Sequence, residues 1–304
     1  MAYFKCSTGG GNSVEIDGVA YDGDLKLVKR SVIDMEYTLP YQYPAELVKC
    51  KGEIHILSRY NSDYSYKTLH YKWNKTSEIW ESVSTLPYQL YYGCAVVQND
   101  EIHILGSLTS NKYKCHYKFN GSSWVSVSTL PYDFYYGSAN VYKDEIHILG
   151  GGSDSVYDSA KKHYKYNGST WTSVSTLPYY FIKGNVEIFD NQIHILGSSV
   201  SSCSKYHYKY NGSTWESVST LPIGLSRYSC NTLLHDNKII FPNINTINTY
   251  EWDGNSWIKR NSFITEIGGT HAHLFHMDDY FYTTKISTFY RHDISLYEYI
   301  EKEK

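Results

Sequence analysis

Several things are scarce in this 304-residue chain, and each scarcity excludes a class of function. No segment approaches the roughly 18 apolar residues that a membrane-spanning helix needs. The opening stretch, "MAYFKCSTGGGN", lacks the charged and apolar regions of a secretory signal, so the expected location is the cytoplasm. Neither sign of charge dominates. The formal net charge is −3 and no basic run occurs, which argues against a nucleic-acid face or another polyanion partner. Arginine is rare, with five residues in all, leaving few bidentate groups for the carboxylate of an acidic sugar. The six cysteines (6, 50, 94, 115, 203, 230) show no metal-ligand spacing and read as unpaired thiols of a reducing compartment. No metal, cofactor or membrane partner is expected, and the chain is expected to be monomeric.

What is abundant is tyrosine, 33 residues, and repetition. Gly-Ser-Thr-Trp-x-Ser-Val-Ser-Thr-Leu-Pro is written at 168–178 and again at 212–222. Thr-Leu-Pro alone falls at 38–40, 85–87, 129–131, 176–178 and 220–222, in steps of 47, 44, 47 and 44. Ile-His-Ile-Leu runs in phase at 54–57, 102–105, 146–149 and 193–196, and His-Tyr-Lys at 70–72, 116–118, 163–165 and 207–209. Weaker copies follow in "DNKIIFP" (236–242) and "MDDYFYTT" (277–284). A period of this length is one supersecondary unit that buries its apolar faces only against its neighbours.

Residues 129–175 show the unit. "TLPYDFYYG" is a proline-containing connection, "SANVY" a short strand, "KDE" a turn and "IHILGG" a second strand. A polar loop leads to "HYKY", then "NGST" reads as an Asn-Gly hairpin turn of type I′, and "WTSVS" is a fourth strand. Four short antiparallel strands, repeated radially, describe a β-propeller blade. Counting from Ile-His-Ile-Leu and its weak copies predicts six blades over 28–304, after a Gly-rich segment at 1–27. The sixth is expected to use "TFYRHD" and "SLYEYI" as its third and fourth strands, with "SVIDMEY" (31–37) pairing beside them to close the ring.

The order of features resembles the kelch-repeat family, in which a Gly-rich second strand is followed by a tyrosine and then a tryptophan on the fourth strand. The matching residues are "HILGG" at 147–151, Tyr164 and Trp171, with Trp80, Trp124, Trp215 and Trp257 in equivalent places. The resemblance implies an all-β, six-bladed propeller of kelch type, related in its central domain to galactose oxidase, and it implies little chemistry. Only the third repeat keeps the double glycine; the others read Leu57-Ser58, Gly106-Ser107, Gly197-Ser198 and Phe241-Pro242, so uniform turns are not expected.

Repeated letters build blades. The histidines at 55, 103, 147 and 194 share one slot and those at 70, 116, 163 and 207 another, which spreads them around a ring rather than gathering them on a metal. They are expected to be hydrogen-bonded between blades. Asn-Gly-Ser at 120–122, 167–169 and 211–213 matches the glycosylation pattern, but turns account for it. The variable letters after Leu-Pro decorate one face with aromatic hydroxyls. The expected binding residues are Tyr91, Tyr92, Tyr135, Tyr136, Arg227 and Tyr228, suited to a protein surface or a neutral glycan.

The function expected is therefore a non-enzymatic interaction module. One alternative is a sugar-acting enzyme of the mutarotase or oxidase type, yet the close histidines His271, His273 and His276 lie on one predicted strand without a Tyr–Cys pair. Another is a bacterial prophage tail or particle protein that binds a receptor, since residues 1–23 faintly resemble such leaders.

Overall fold

A computed structural model describes the backbone of residues 5–6, 13–16, 19–22, 25–38, 44–60, 66–109, 111–152, 158–225, 232–242, 248–261, 274–277, 280–285 and 288–302, with side chains described within 46–259. The described elements are strands apart from one 3-10 turn at Ser201–Cys203. In the third repeat the strands are Ser138–Tyr142, Glu145–Leu149, Lys162–Tyr166 and Trp171–Thr176, paired antiparallel in chain order. The same four-stranded sheet recurs at 44–85, 94–129, 185–220 and 233–261. Numbered from the N-terminus these are blades one to five, and their first strands adjoin one another in sequence. The chain is a β-propeller of four-stranded antiparallel blades.

The expectation of six blades is corrected: the structure has five, each made of four consecutive strands. The tail does not supply separate third and fourth strands. "TFYRHD" and "SLYEYI" run together in one strand, Thr288–Lys302, with register shifts between Arg291 and His292 and between Asp293 and Tyr297. Its partner is Leu25–Thr38 from the other end of the chain, and with Leu274–Met277 and Tyr280–Lys285 the two form a composite sheet. "SVIDMEY" thus takes the outer edge, as its phase suggested, with Thr38 opposite Thr288. These two strands, of 14 and 15 residues, far exceed the five to six typical of blades two to five. Residues 5–22 add a separate three-stranded sheet.

Turn chemistry also differs from expectation. The two-residue turns with both φ positive lie between first and second strands: Lys51-Gly52, Asn99-Asp100, Lys143-Asp144, Asp190-Asn191 and Asp236-Asn237. That is the type I′ signature, and Asn and Asp tolerate it best. The Asn-Gly sites instead form four-residue loops in which the asparagine side chain replaces a backbone turn. Asn167 Oδ1 accepts the N–H groups of Ser169 and Thr170 at 2.9 Å each, and Asn120 and Asn211 do the same in their blades.

The Gly-rich turns are more uniform than the letters suggest. Gly106, Gly150 and Gly197 all hold φ near +60°, and a Cβ on any of them would lie 2.0 Å from a carbonyl oxygen of the next inter-blade loop. At the following position Ser107 and Ser198 replace Gly151. Each hydroxyl donates to a loop carbonyl, of Gln89 at 2.7 Å and Tyr180 at 2.8 Å. A hydrogen bond thus substitutes for the missing glycine.

The core lies between blades. Leu105 of blade two, Ile146 and Ile148 of blade three, and Leu130 and Phe134 of the loop between them form one continuous cluster. First strands also latch forward onto the next blade. Cys50 Sγ donates to Asp100 O at 3.4 Å, Gln98 to Asp144 O at 2.5 Å and Tyr142 to Asn191 O at 3.0 Å. Each blade holds its successor.

Candidate binding face and the buried histidine chains

The loops from fourth strand to next first strand and those from second to third strand open on the same face. Backbone bonds join them, as from Leu108 N–H to Tyr91 O at 2.7 Å and from Gly152 N–H to Tyr135 O at 2.9 Å. Of the tyrosines there, Tyr88, Tyr132 and Tyr179 are buried and pack blades together, and the hydroxyls of Tyr132 and Tyr179 bond to Gly150 O and Gly197 O. The candidates Tyr91, Tyr92, Tyr135 and Tyr136 are half-buried. Arg227 and Tyr228 lie outside the described residues.

The structure brings four side chains into one stack. Ring centroids of Tyr91 and Tyr92 are 4.0 Å apart, those of Tyr92 and Tyr136 4.3 Å, and Lys183 Nζ sits 4.1 Å above the Tyr136 ring. Tyr135 meets Tyr136 edge-on at 5.7 Å and Tyr113 at 5.6 Å. Tyr92, Tyr136 and Lys183 occupy the same slot of successive repeats, two residues before the blade begins. Their φ values are 53°, 56° and 54°, a left-handed backbone that costs a non-glycine residue about 1 kcal/mol. Tyr136 N–H donates to Tyr92 O at 2.8 Å and Lys183 N–H to Tyr136 O at 2.7 Å, so the backbones form a ladder from blade to blade. Glycine would satisfy that backbone with less strain. Large side chains persist there, and strain of this kind gathers at functional positions. Lys183 was not among the expected residues, although its place in the Tyr92/Tyr136 slot was available from the repeat alignment.

The repeated histidines form a second, buried system. His163 Nε2 and His147 Nδ1 are 2.7 Å apart, and His163 Nδ1 lies 3.0 Å from Ser175 Oγ on the fourth strand. Trp215 of the next blade donates its indole N–H to the same Ser175 oxygen at 2.9 Å. Indole can only donate, so the serine accepts there and has a second lone pair and one hydrogen left for imidazole Nδ1. The chain repeats as His55–His70–Ser84–Trp124, His103–His116–Ser128–Trp171 and His194–His207–Ser219–Trp257. The histidine bonds run within a blade, and tryptophan carries the step between blades, which corrects the expected inter-blade histidine. All eight imidazoles are buried. Burial pushes His55, His103, His147 and His194 down to about 4, and His70, His116, His163 and His207 to about 3. They are neutral packing groups, and among the described residues no cluster of three or more potential metal ligands occurs.

Sequence reasoning passed over Glu187, on the first strand of blade four. Although the residue as a whole is half-buried, burial of its carboxyl raises the pKa to about 7, opposed by a hydrogen bond that Thr232 Oγ1 donates at 2.6 Å. Asn140 holds the same position in blade three and donates to Val186 O at 3.2 Å. Both side chains serve as joints between blades.

No family model and no curated protein matches the chain. Among solved structures, the one titled "Structure of YjhT" superposes with a TM-score of 0.67, covering 87% of this chain and 99% of that chain at 11% identity. At that identity the likeness defines the fold, a β-propeller. No described helix is long and apolar enough to cross a membrane.

Proposed function

We propose that the protein is a non-enzymatic binding module whose partner, a protein surface or a neutral glycan, lies across the loop face. The observation that supports this reading is the Tyr91–Tyr92–Tyr136–Lys183 stack, built from successive inter-blade loops on a backbone that disfavours large side chains. Aromatic plates with hydroxyl edges suit flat, amphipathic surfaces. The resemblance to kelch propellers, whose commonest use is partner binding, points the same way. Eight of the nine histidines with described side chains belong to the structural chains, and the ninth, His235, stands 3.4 Å from the exposed Asp236.

The test is a glycan array beside a pull-down with purified candidate partners, repeated with Tyr92→Ala, Tyr136→Ala and the double variant. Truncating a hot-spot tyrosine weakens binding by about 2 kcal/mol or more. The melting temperature should move little, because half-exposed loop substitutions stay within about 0.5 kcal/mol and alanine, which keeps a Cβ, leaves the backbone strain unchanged. A large loss of stability with binding intact would make the stack a packing device and refute the assignment.

A further inference from the structure

The two faces of the propeller differ in charge. On the described part of the loop face, Lys112, Lys114, Lys161, Lys183 and Lys205 all stand in loops between strands. Only Asp133 and Asp158 oppose them there, and Asp133 lies 3.9 Å from Lys114. On the opposite face, the described turns carry Asp100, Asp144, Asp190, Asp236, Glu78 and Asp253 against Lys51, Lys75 and Lys143. Among the described turn and loop residues, lysine is thus in excess on the face that carries the tyrosines and carboxylates are in excess on the other.

The lysines are distributed in a particular way. Lys112 and Lys114 belong to blade two, Lys161 to blade three, Lys183 to the connection into blade four, and Lys205 to blade four itself. They do not converge on one point, so a single small anion would satisfy few of them. Exposed aromatic surface lies among them: Tyr180 and Tyr206 are 42% and 41% exposed, and Lys161 Nζ sits 5.0 Å over the Tyr180 ring. The rings of the central stack lie against one another, which leaves no gap for a nucleobase.

We infer that the occupant of this face is an extended acidic peptide segment of a partner protein, its carboxylates spaced along the lysines and its apolar side chains lying on Tyr180 and Tyr206. This rests on the binding reading above and narrows it. A face richer in lysine than the face opposite it orients a negatively charged partner before contact, through on-rate more than through final affinity.

The experiment is fluorescence polarisation with a labelled 12-residue peptide of Glu, Gly and Phe, against the same peptide with Gln for Glu and against a 12-mer oligouridylate. Expected are binding of the acidic peptide at least tenfold tighter than the neutral one at low salt, and about a tenfold loss on raising the salt severalfold. Lys112→Glu with Lys161→Glu and Lys205→Glu should reduce acidic-peptide binding at least tenfold, whereas Asp144→Lys with Asp190→Lys on the other face should leave it unreduced. Equal affinity for the acidic and neutral peptides, tighter binding of oligouridylate, or no binding of any probe would overturn the inference. So would salt-sensitive self-association in sedimentation, which would seat the turn face of a second copy on the lysines. If the lysine reversals are silent while Tyr92→Ala and Tyr136→Ala abolish capture of a neutral partner, the acidic ligand is wrong and the binding module stands.

Discussion

Lowering the pH from 7.5 to 5.5 should bring this propeller to the edge of unfolding, and the buried histidine chains set the size of the effect. In the unfolded chain each imidazole has its ordinary pKa of about 6.5. In the fold the values fall to about 4 or about 3. The unfolded state therefore binds protons that the folded state refuses. Stability from these groups is complete above the unfolded value and is lost as pH falls from 6.5 toward 4. At pH 5.5 each histidine favours unfolding by about 1.4 kcal/mol, and the eight together by about 11 kcal/mol. Glu187 acts in the opposite direction. Its folded value of about 7 lies above its unfolded value, so its contribution is present at low pH and lost as pH rises through 7. It offsets about 2 kcal/mol at pH 5.5, leaving a net loss of about 9 kcal/mol. Whole domains are stable by about 5–15 kcal/mol, so this is most of the reserve. Urea unfolding followed by tryptophan fluorescence between pH 5.0 and 8.0 measures it, with proton uptake read in a pH-stat. The midpoint should be flat above pH 7, then fall steeply, with net uptake on unfolding rising to about six or seven protons once the proton released by Glu187 is subtracted. A urea midpoint unchanged at pH 5.5, or uptake of one or two protons, would refute the assignment of these imidazoles as neutral in the fold.

Three other outcomes test the architecture. Ser175→Ala strands both the Trp215 indole N–H and the His163 ring, and should cost about 2–3 kcal/mol in urea titrations, while the exposed Ser173→Ala stays within about 0.5 kcal/mol. Gly150→Ala drives a methyl into Phe181 O and should cost more than about 3 kcal/mol. At Gly168, where nothing lies within 4 Å of a Cβ, the same change should cost only the φ strain of about 1–2 kcal/mol. Glu187→Gln removes the buried ionisation and should stabilise the fold at pH 8 by about 3 kcal/mol but leave it unchanged near pH 5; equal effects at both would contradict the raised pKa.

Period, strand positions and the order within a blade were legible from Thr-Leu-Pro, Ile-His-Ile-Leu and His-Tyr-Lys, because packing between identical neighbours demands identical letters. Blade count was not. Leu25–Thr38 and Thr288–Lys302 carry almost none of those letters, and their pairing is a contact between distant ends that no local pattern records. The Asn-Gly loops were misread for a local reason: the asparagine side chain makes the turn bonds itself, so the backbone needs no type I′ geometry. Of the candidate site, the tyrosines could be named from the variable letters, but not which of them were buried. Tyr88 and Tyr91 stand three residues apart in one loop, one packed beneath the blades and one half-exposed. The serine and tryptophan of each histidine chain were visible in phase. Their meeting, about one repeat apart in sequence, appears only when blades are set side by side.

Because the first strands of blades one to three reach forward to their successors and the fourth-strand tryptophans of blades two to five reach back to their predecessors, the joint between such blades is a plug and a socket of recurring form. Neither half registers how many joints precede it. A recombination event between copies 44 or 47 residues apart would insert or remove a whole unit and leave each surviving coupling intact. The number of blades is then written nowhere in the blades. It is held by the two ends of the chain, where Tyr37 stands in the slot that is serine at 84, 128, 175 and 219, and where the coupling gives way to a long strand pair. Gene-level growth of such a protein is limited by its terminator, and the closing pair is where its lineage can change size.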